Sequence, residues 1–581
     1  MDSQKYENML NLALDVTEEQ RENSVTLDVG YSQLENTWEV IVRYSQDIEF
    51  LKDYGVKITY LISNYAILVV PDSFIRRLSD FKEIIYVEMP KSMYLSVNNG
   101  RRVSCINQVQ INDFSYNGGL YGENVICACI DSGVDIFNNA FRNSDGTTRI
   151  LELWDQNIDG NPPEGYSLGT LFTSEDINEA LRSEGNSLIK SFPSIDVSGH
   201  GTHVLGIMAG NFAENRNNSL GIATKSPLLV VKLNTSINNG FPRTTEMMLA
   251  LNYVYQTAVK YGMPVSINIS FGNSYGSHDG TSLLETFIDD LSNRWKMCIC
   301  IGTGNEGASA GHYMNYFKNG EEKRAEFTVG NYETSINIQL WKTYEDEFEF
   351  NLIPPGNNNS VKIQNVGQST NIKVGNDRIL IYYGEPSPYS QFQEIYIQII
   401  PDSISAYYIT SGIWSINIEA LRVISGRIDM WLPDSAALNS DTRFITPTPD
   451  TTLTIPSTSR SAISVGGYNS LTYAYADFSG RGFTRLVESI KPEIVAPAVN
   501  ISSAAVGGGL TEKSGTSMAC PFVSGSAALL MEWGIVRGND PYLYGDKIKA
   551  YLIKGAKGLP GETVPSRRQG FGSLCLADSL P

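Results

Sequence analysis

The stretch Ser514-Gly515-Thr516-Ser517-Met518-Ala519-Cys520-Pro521 constrains the fold most, because it sets a hydroxyl in a Gly-flanked turn directly before the apolar run Phe522 to Trp533. A serine hydroxyl is a weak nucleophile at neutral pH and needs a base within hydrogen-bond reach, itself held by a third group. The chain has four histidines. His278 and His312 sit in stretches rich in Gly, Ser and Asn, whereas His200 lies in a turn, Asp196 to Val204, that runs into the apolar segment Val204 to Ala209. His200 is therefore the candidate base. Asp131 ends the apolar run Val125 to Ile130 and precedes Ser132-Gly133, where a parallel strand delivers a side chain to the edge of a sheet. It is the candidate orienting carboxylate.

Ile130-Asp131-Ser132-Gly133, His200-Gly201-Thr202-His203 and Gly515-Thr516-Ser517-Met518-Ala519 resemble, in that order, the three signatures of the subtilisin-like serine proteases. Gly304-Asn305-Glu306-Gly307, after the apolar run Met297 to Ile301, resembles the family's oxyanion-hole loop. The resemblance implies a serine endopeptidase with Ser517 as nucleophile, His200 as base, Asp131 as orienting acid and Asn305 as oxyanion donor. It also implies that substrate backbone pairs with Ser270-Phe271-Gly272 and that Gly302-Thr303-Gly304 walls the pocket for the residue before the scissile bond. No organic cofactor and no metal is expected. Asn217-Asn218-Ser219-Leu220-Gly221 resembles the family's calcium loop, but Ala140 stands where the family has a calcium-binding Asp, and a hard-cation site that loses a carboxylate loses much of its affinity.

Between about 98 and 308 apolar strands such as Leu228 to Leu233 and Val265 to Phe271 alternate with helical periodicity, as in Thr245 to Tyr261 with Met247, Leu251, Val254 and Ala258 on one face. That pattern predicts an α/β fold with a doubly wound parallel sheet. The segment between Asp131 and His200, with Asp159-Gly160-Asn161-Pro162-Pro163, is expected as a surface insertion. From 311 to 446 two-residue alternation takes over, in Ile336/Ile338/Leu340, Phe348/Phe350/Leu352, Ile395/Ile397/Ile399 and Trp414/Ile416/Ile418. This predicts an antiparallel β insertion of sandwich or jelly-roll type, after which 447–581 resumes the catalytic pattern.

Residues 1–36 are expected as an extension, with a helix over 5–22 presenting Leu10 and Leu14, followed by a linker. Over 37–96 the strands Trp38 to Tyr44, Val56 to Ile62, Tyr65 to Val70 and Ile84 to Glu88 alternate with helices at Gln46 to Tyr54 and Asp72 to Phe81. A small β-α-β-β-α-β domain of this kind, placed before a subtilisin-like body (97–310 and 447–581), resembles the family's pro-domain, the intramolecular chaperone. The resemblance implies self-cleavage between Tyr94 and Val97, with the pro-domain retained afterwards as a partner. The whole arrangement is most similar to the Csp germination proteases of spore-forming bacteria, some of whose relatives are catalytically silent. A pseudoprotease acting as a binding scaffold is therefore the alternative function.

Charge excludes other classes. A net charge of −19 argues against nucleic acid or an anionic membrane surface as partner. The start, Met1 to Glu7, lacks the basic then apolar layout of a signal peptide, and no apolar run is expected to approach the ~20 residues of a membrane span. Seven cysteines contain no Cys-x-x-Cys pair, and an odd number cannot pair completely within one chain. A monomer with a protein or peptide substrate, cytoplasmic or spore-associated, is expected. Three other motifs compete: Gly302 to Gly307 fits a dinucleotide fingerprint, and Gly272 to Gly276 and Gly307 to Gly311 fit the Gly-x-Ser-x-Gly elbow of esterases. No convincing opening helix follows the first; after Ser309 only His312 remains, with no acid between them; and Ser274, which could use Asp289 and His312, is separated from any helix by the loop Ser277 to Gly280.

Overall fold

The computed structural model describes the chain apart from 1–4, 18–20, 22–29, 91–95, 111–118, 185–191, 213–220, 236–240, 357–359, 365, 387–389, 403–406 and 487–488. The chain divides into two units, Met1–Tyr94 and Leu95–Pro581.

The first unit is an antiparallel sheet centred on Thr37–Tyr44, which pairs with Tyr65–Pro71 on one side and Ile84–Glu88 on the other. Alternation puts Trp38, Val40 and Val42 on the buried face, against Ala66, Leu68, Val70 and Val87. The helices are shorter than the periodicity predicts. Gln46 to Tyr54 yields only a 3-10 helix, Glu49–Tyr54, stopped by Gly55 in the left-handed region, and Asp72 to Phe81 breaks into Asp72–Ile75 and Leu78–Asp80. In both places local packing of Leu51, Phe74, Ile75 and Leu78 into the core overrides helical continuity. Asn8–Asp15 is the described helix of the first 22 residues, and its Leu10 and Leu14 enter the same core.

The second unit is built on an eight-stranded sheet in the order Ile494–Pro497, Ile463–Tyr468, Met297–Gly302, Val265–Ile269, Ile126–Asp131, Leu228–Lys232, Ile150–Asp155 and Thr170–Thr173. All pairs are parallel except the last. Each central strand is buried on both faces, which is why it reads as an unbroken apolar run. Cys127 and Cys129 face the helices His200–Ala209 and Thr516–Met531, while Ile126, Ala128 and Ile130 face Thr244–Tyr261 and Leu283–Ser292. The Asp131-to-His200 segment departs from a plain surface insertion: it contributes the two edge strands and the helix Ser174–Glu184. Ser573 bridges Val495, so the last turn of chain closes the opposite edge. A disulfide between Cys105 and Cys575 fastens that end, and the five other cysteines are buried thiols. Among the described residues one helix, Thr516–Val536, is long and apolar enough to cross a membrane, contrary to the expectation that no apolar run approaches that length; 83% of its apolar window is buried in the core.

Residues 312–444 form two antiparallel sheets, of six and five strands, around one core. The alternating residues from Ile336 to Ile418 named above all point into it. This insertion is seated on the parallel-sheet body by a buried cluster. Trp431 is stacked between His278 and His312, with ring centroids 4.1 and 4.6 Å away. Asp429 beside it accepts from His312 Nε2 at 3.2 Å and from Arg427 Nε and Arg485 Nε at 2.8 Å each.

Candidate active site

Asp131 is the last residue of its strand and fully buried. Its Oδ1 accepts from Ser132 N and from His200 Nδ1, both at 2.7 Å. His200 opens its helix, and the turn before it is held by a residue the motif reading passed over: Asp196 accepts from Gly199 N, Ser132 Oγ, Thr202 N and Thr202 Oγ1 at 2.7–2.9 Å. The signal for it was present, since an Asp four residues before the His is a natural acceptor for the free N–H groups at a helix start. Gly201 is required by contact, because a Cβ there would lie 2.3 Å from Gly133 O. Burial pushes the His200 pKa down, but the charge and hydrogen bond of Asp131 outweigh it and the net shift is upward.

Ser517 is the second residue of Thr516–Met531, entered through Gly515 at φ +149°, a conformation that side chains disfavour. Pro521 has no N–H for the Ser517 carbonyl four residues back, and Ser270 Oγ donates to that carbonyl at 3.4 Å instead. The Ser517 hydroxyl lies 3.5 Å from Ser270 O. Among the described residues it makes no hydrogen bond to His200, a separation usual in sites without substrate. Asn305 Oδ1 accepts from Thr516 N at 3.1 Å, which leaves the Asn305 Nδ2 donor, like Ser517 N, without a partner among the described residues. Two donors thus stand at the positive end of a helix next to the hydroxyl.

Around them lies a cleft of about 460 Å³ lined by Ser270, Phe271, Gly272, Gly302, Gly304, Asn305, Thr516 and Ser517, among others. Thr303 differs from expectation: it is fully buried with Oγ1 3.4 Å from Ser479 Oγ, so its side chain builds no part of the cleft. The far wall is built by Asp434, Ala436 and Ala437 of the β insertion, which the sequence reading did not place here. Of the bond expected to be cut, 94–95 lies outside the described residues, and Ser96 and Val97 begin the helix Ser96–Val103.

The competing motifs do not assemble. Ser274 Oγ donates to Asp434 Oδ1 at 2.5 Å while His278 Nε2 meets only the Ser274 carbonyl, and Ser309 Oγ bonds the Glu306 carbonyl. Gly302 to Gly307 leads into the strand His312–Tyr316 rather than a helix. His203 Nε2 lies 2.9 Å from Ile501 O and 3.1 Å from Thr511 O, and burial lowers its pKa to about 4. It fastens a hairpin to the helix. No group of three or more His, Cys, Asp or Glu suited to a metal occurs among the described residues. Asn217 to Leu220 lie outside them, and the Ala140 carbonyl is met by the Arg149 side chain. The Arg149 guanidinium donates to Ala209 O at 2.7 Å, Ser226 O at 2.8 Å, Ala223 O at 3.1 Å and Ala140 O at 3.4 Å. Burial lowers its pKa to about 10, which leaves it charged at neutral pH.

Comparison with known proteins agrees with this geometry. Residues 4–91 match the Csp protease B prodomain, and residues 122–384 and 435–572 match the Subtilase family. The structure of the Clostridium perfringens CspB protease is similar at 37% identity and a TM-score of 0.75, over 83% of this chain and 96% of that one. The minor extracellular protease Vpr of Bacillus subtilis is 25% identical over 67% of this chain and 46% of its own length. Subtilisin-like protease 2 of Pseudogymnoascus destructans is 28% identical over 22% of this chain and 28% of its own. The chain thus spans less than half the length of these curated relatives. With the subtilase match running through Asp131, His200, Asn305 and Ser517, and a Csp protease B prodomain in front, the chain belongs to the subtilase family of peptidases.

Proposed function

We propose that the protein is a serine endopeptidase in which Ser517 attacks a peptide carbonyl. His200 takes the hydroxyl proton and later gives it to the leaving amine, while Asp131 holds the imidazole tautomer and stabilises its charge. Asn305 Nδ2 and Ser517 N receive the oxyanion. The observation that carries the reading is the 2.7 Å bond between buried Asp131 and His200, in one unit with a helix-start serine whose neighbouring donors are unoccupied. The test is reaction with a fluorophosphonate probe followed by peptide mapping. Label at Ser517 and its loss in Ser517→Ala support the proposal, whereas a folded, unlabelled protein supports the scaffold alternative.

Within that reading, the protease cuts itself between Tyr94 and Val97 and keeps its pro-domain, as the Csp protease B prodomain match suggests. Its substrates are proteins cut at few positions, in spore germination, and it acts as a monomer. A jelly-roll topology for 311–446 is supported by two antiparallel sheets on one core. A spore-associated location suits the Cys105–Cys575 disulfide better than reducing cytosol does.

A further inference from the structure

We propose that Thr454 is a specificity-determining residue: it closes the floor of the pocket between Gly272 and Gly304, so that the protease selects a small side chain in the substrate position before the scissile bond. The inference rests on the endopeptidase reading and adds to it a substrate class and, for self-cleavage, a single bond.

In that reading, substrate backbone laid along Ser270-Phe271-Gly272 turns one side chain into the gap between this segment and the loop of Gly302 and Gly304, which lines the same cleft as Ser517 and Asn305. Glycine on both sides would by itself leave the gap wide. Thr454 fills it. It lines the cleft, is only 5% exposed and presses on both glycines: a Cβ built on Gly272 or on Gly304 would lie 2.9 or 3.0 Å from Thr454 Cβ, inside the ~3.5–4.0 Å of an ordinary carbon contact. Gly302 gives no second opening, since a Cβ there would meet Thr516 O and Oγ1, each 3.3 Å away. The floor is also tied to both walls. Thr454 N donates to Thr303 O at 3.0 Å, and Ile455 exchanges two backbone bonds with Asn273 at 2.7 and 2.9 Å. The Thr454 carbonyl accepts from Ser457 N at 2.8 Å and from Ser457 Oγ at 2.6 Å. A floor held in this way cannot sink to admit a longer side chain without losing these bonds, and a β-branched side chain has few rotamers in which to swing aside. The room above it suits a methyl or hydroxymethyl group, whereas an aromatic or branched aliphatic side chain overlaps Thr454.

The chain carries its own first substrate. Three residues precede the candidate bonds between Tyr94 and Val97; Tyr94 and Leu95 are large, and Ser96 is small. Self-cleavage therefore falls between Ser96 and Val97.

The test is self-cleavage itself, read by intact mass and by the rate at which the full chain disappears on a denaturing gel. The wild type should yield a body that starts at Val97, and Ser96→Ala should be cut at the same bond. Ser96→Phe should be cut at least about tenfold more slowly. Adding Thr454→Gly to Ser96→Phe should restore most of the lost rate at that bond, whereas Thr454→Val, which keeps the branched shape, should not. Restoration by one and not by the other is a result that a merely structural role for Thr454 does not give, and it shows that the Ser96→Phe chain folds. A wild-type cut after Tyr94 or Leu95, a Ser96→Phe chain cut at the wild-type rate, or a double variant that labels at Ser517 with fluorophosphonate yet stays as slow as Ser96→Phe overturns the proposal. A wild-type chain neither cut nor labelled at Ser517 removes the endopeptidase reading instead, and the proposal with it.

Discussion

His200 Nδ1 lies 2.7 Å from Asp131 Oδ1, while the other oxygen, Asp131 Oδ2, is sealed from solvent with no hydrogen-bond partner among the described residues. Both of its hydrogen bonds, from Ser132 N and from His200, therefore run through Oδ1. Burial lowers the His200 pKa, but the charge and the hydrogen bond of Asp131 together outweigh it and raise it above its ordinary 6.5. A base must be neutral to accept a proton, so kcat/KM should fall as pH drops through that raised value, with the midpoint of the acid limb above 6.5. Stability runs the other way: this pair contributes fully below the unfolded pKa and its contribution fades as pH rises through the folded one. Asp131→Asn should lower kcat by about 10⁴, and a pH–rate profile reads both effects.

Ser517→Ala should abolish self-cleavage, and Ser274→Ala should leave it largely intact. Only Ser517 stands beside the oxyanion donors, whereas Ser274 is bonded to Asp434. A denaturing gel of the two purified variants distinguishes them; cleavage in the first and none in the second would refute the assignment.

Asn305→Ala should reduce kcat by about 10²–10³ with little change in KM, the size of loss known for such a donor in subtilisin itself. Because Asn305 Oδ1 also accepts from Thr516 N, a control for helix integrity is needed. Unchanged circular dichroism with an unchanged rate would count against the oxyanion role.

Asp429→Asn should weaken the seating of the β insertion. Despite full burial, His312, Arg485 and Arg427 hold the Asp429 carboxyl far below the usual range, so its contribution is present above the unfolded pKa and is lost only at strongly acidic pH. Removing the charge leaves Arg485, 1% exposed, without its anion, at a cost of about 3–5 kcal/mol. Chemical denaturation at neutral pH measures it, and a loss below 1 kcal/mol would contradict the account.

The triad positions were legible in sequence because each sits where a strand or turn hands over to a helix, and such junctions have a short local signature: Asp131 after an apolar run, Ser517 before one. The β insertion was legible for the same kind of reason, since Ile336 to Leu340 and Trp414 to Ile418 carry their burial in a period of two. Contacts set by docking were not. Nothing near Asp434 in the chain indicates that it meets Ser274, and nothing near His278 indicates a stack on Trp431. The family resemblance implies Gly302, Thr303 and Gly304 together as the wall, yet on a strand exit adjacent residues face opposite ways, and Thr303 turns inward. The short helices of the first unit were over-read, because their apolar spacing reports burial and does not report whether the backbone stays helical.

The Arg149 guanidinium, bonded to backbone oxygens of four different residues, changes what the protein's surroundings can do to it. A bound ion is an exchangeable component, and a fold that relies on one has a stability that follows the ion's free concentration. A cation built into the chain is present at one equivalent always, through dilution, chelation or secretion of competing metals. The melting temperature should accordingly be the same in excess calcium and in excess chelator, while Arg149→Met, which strips the carbonyls of Ala209, Ala223 and Ser226 of a donor, should lower it in both.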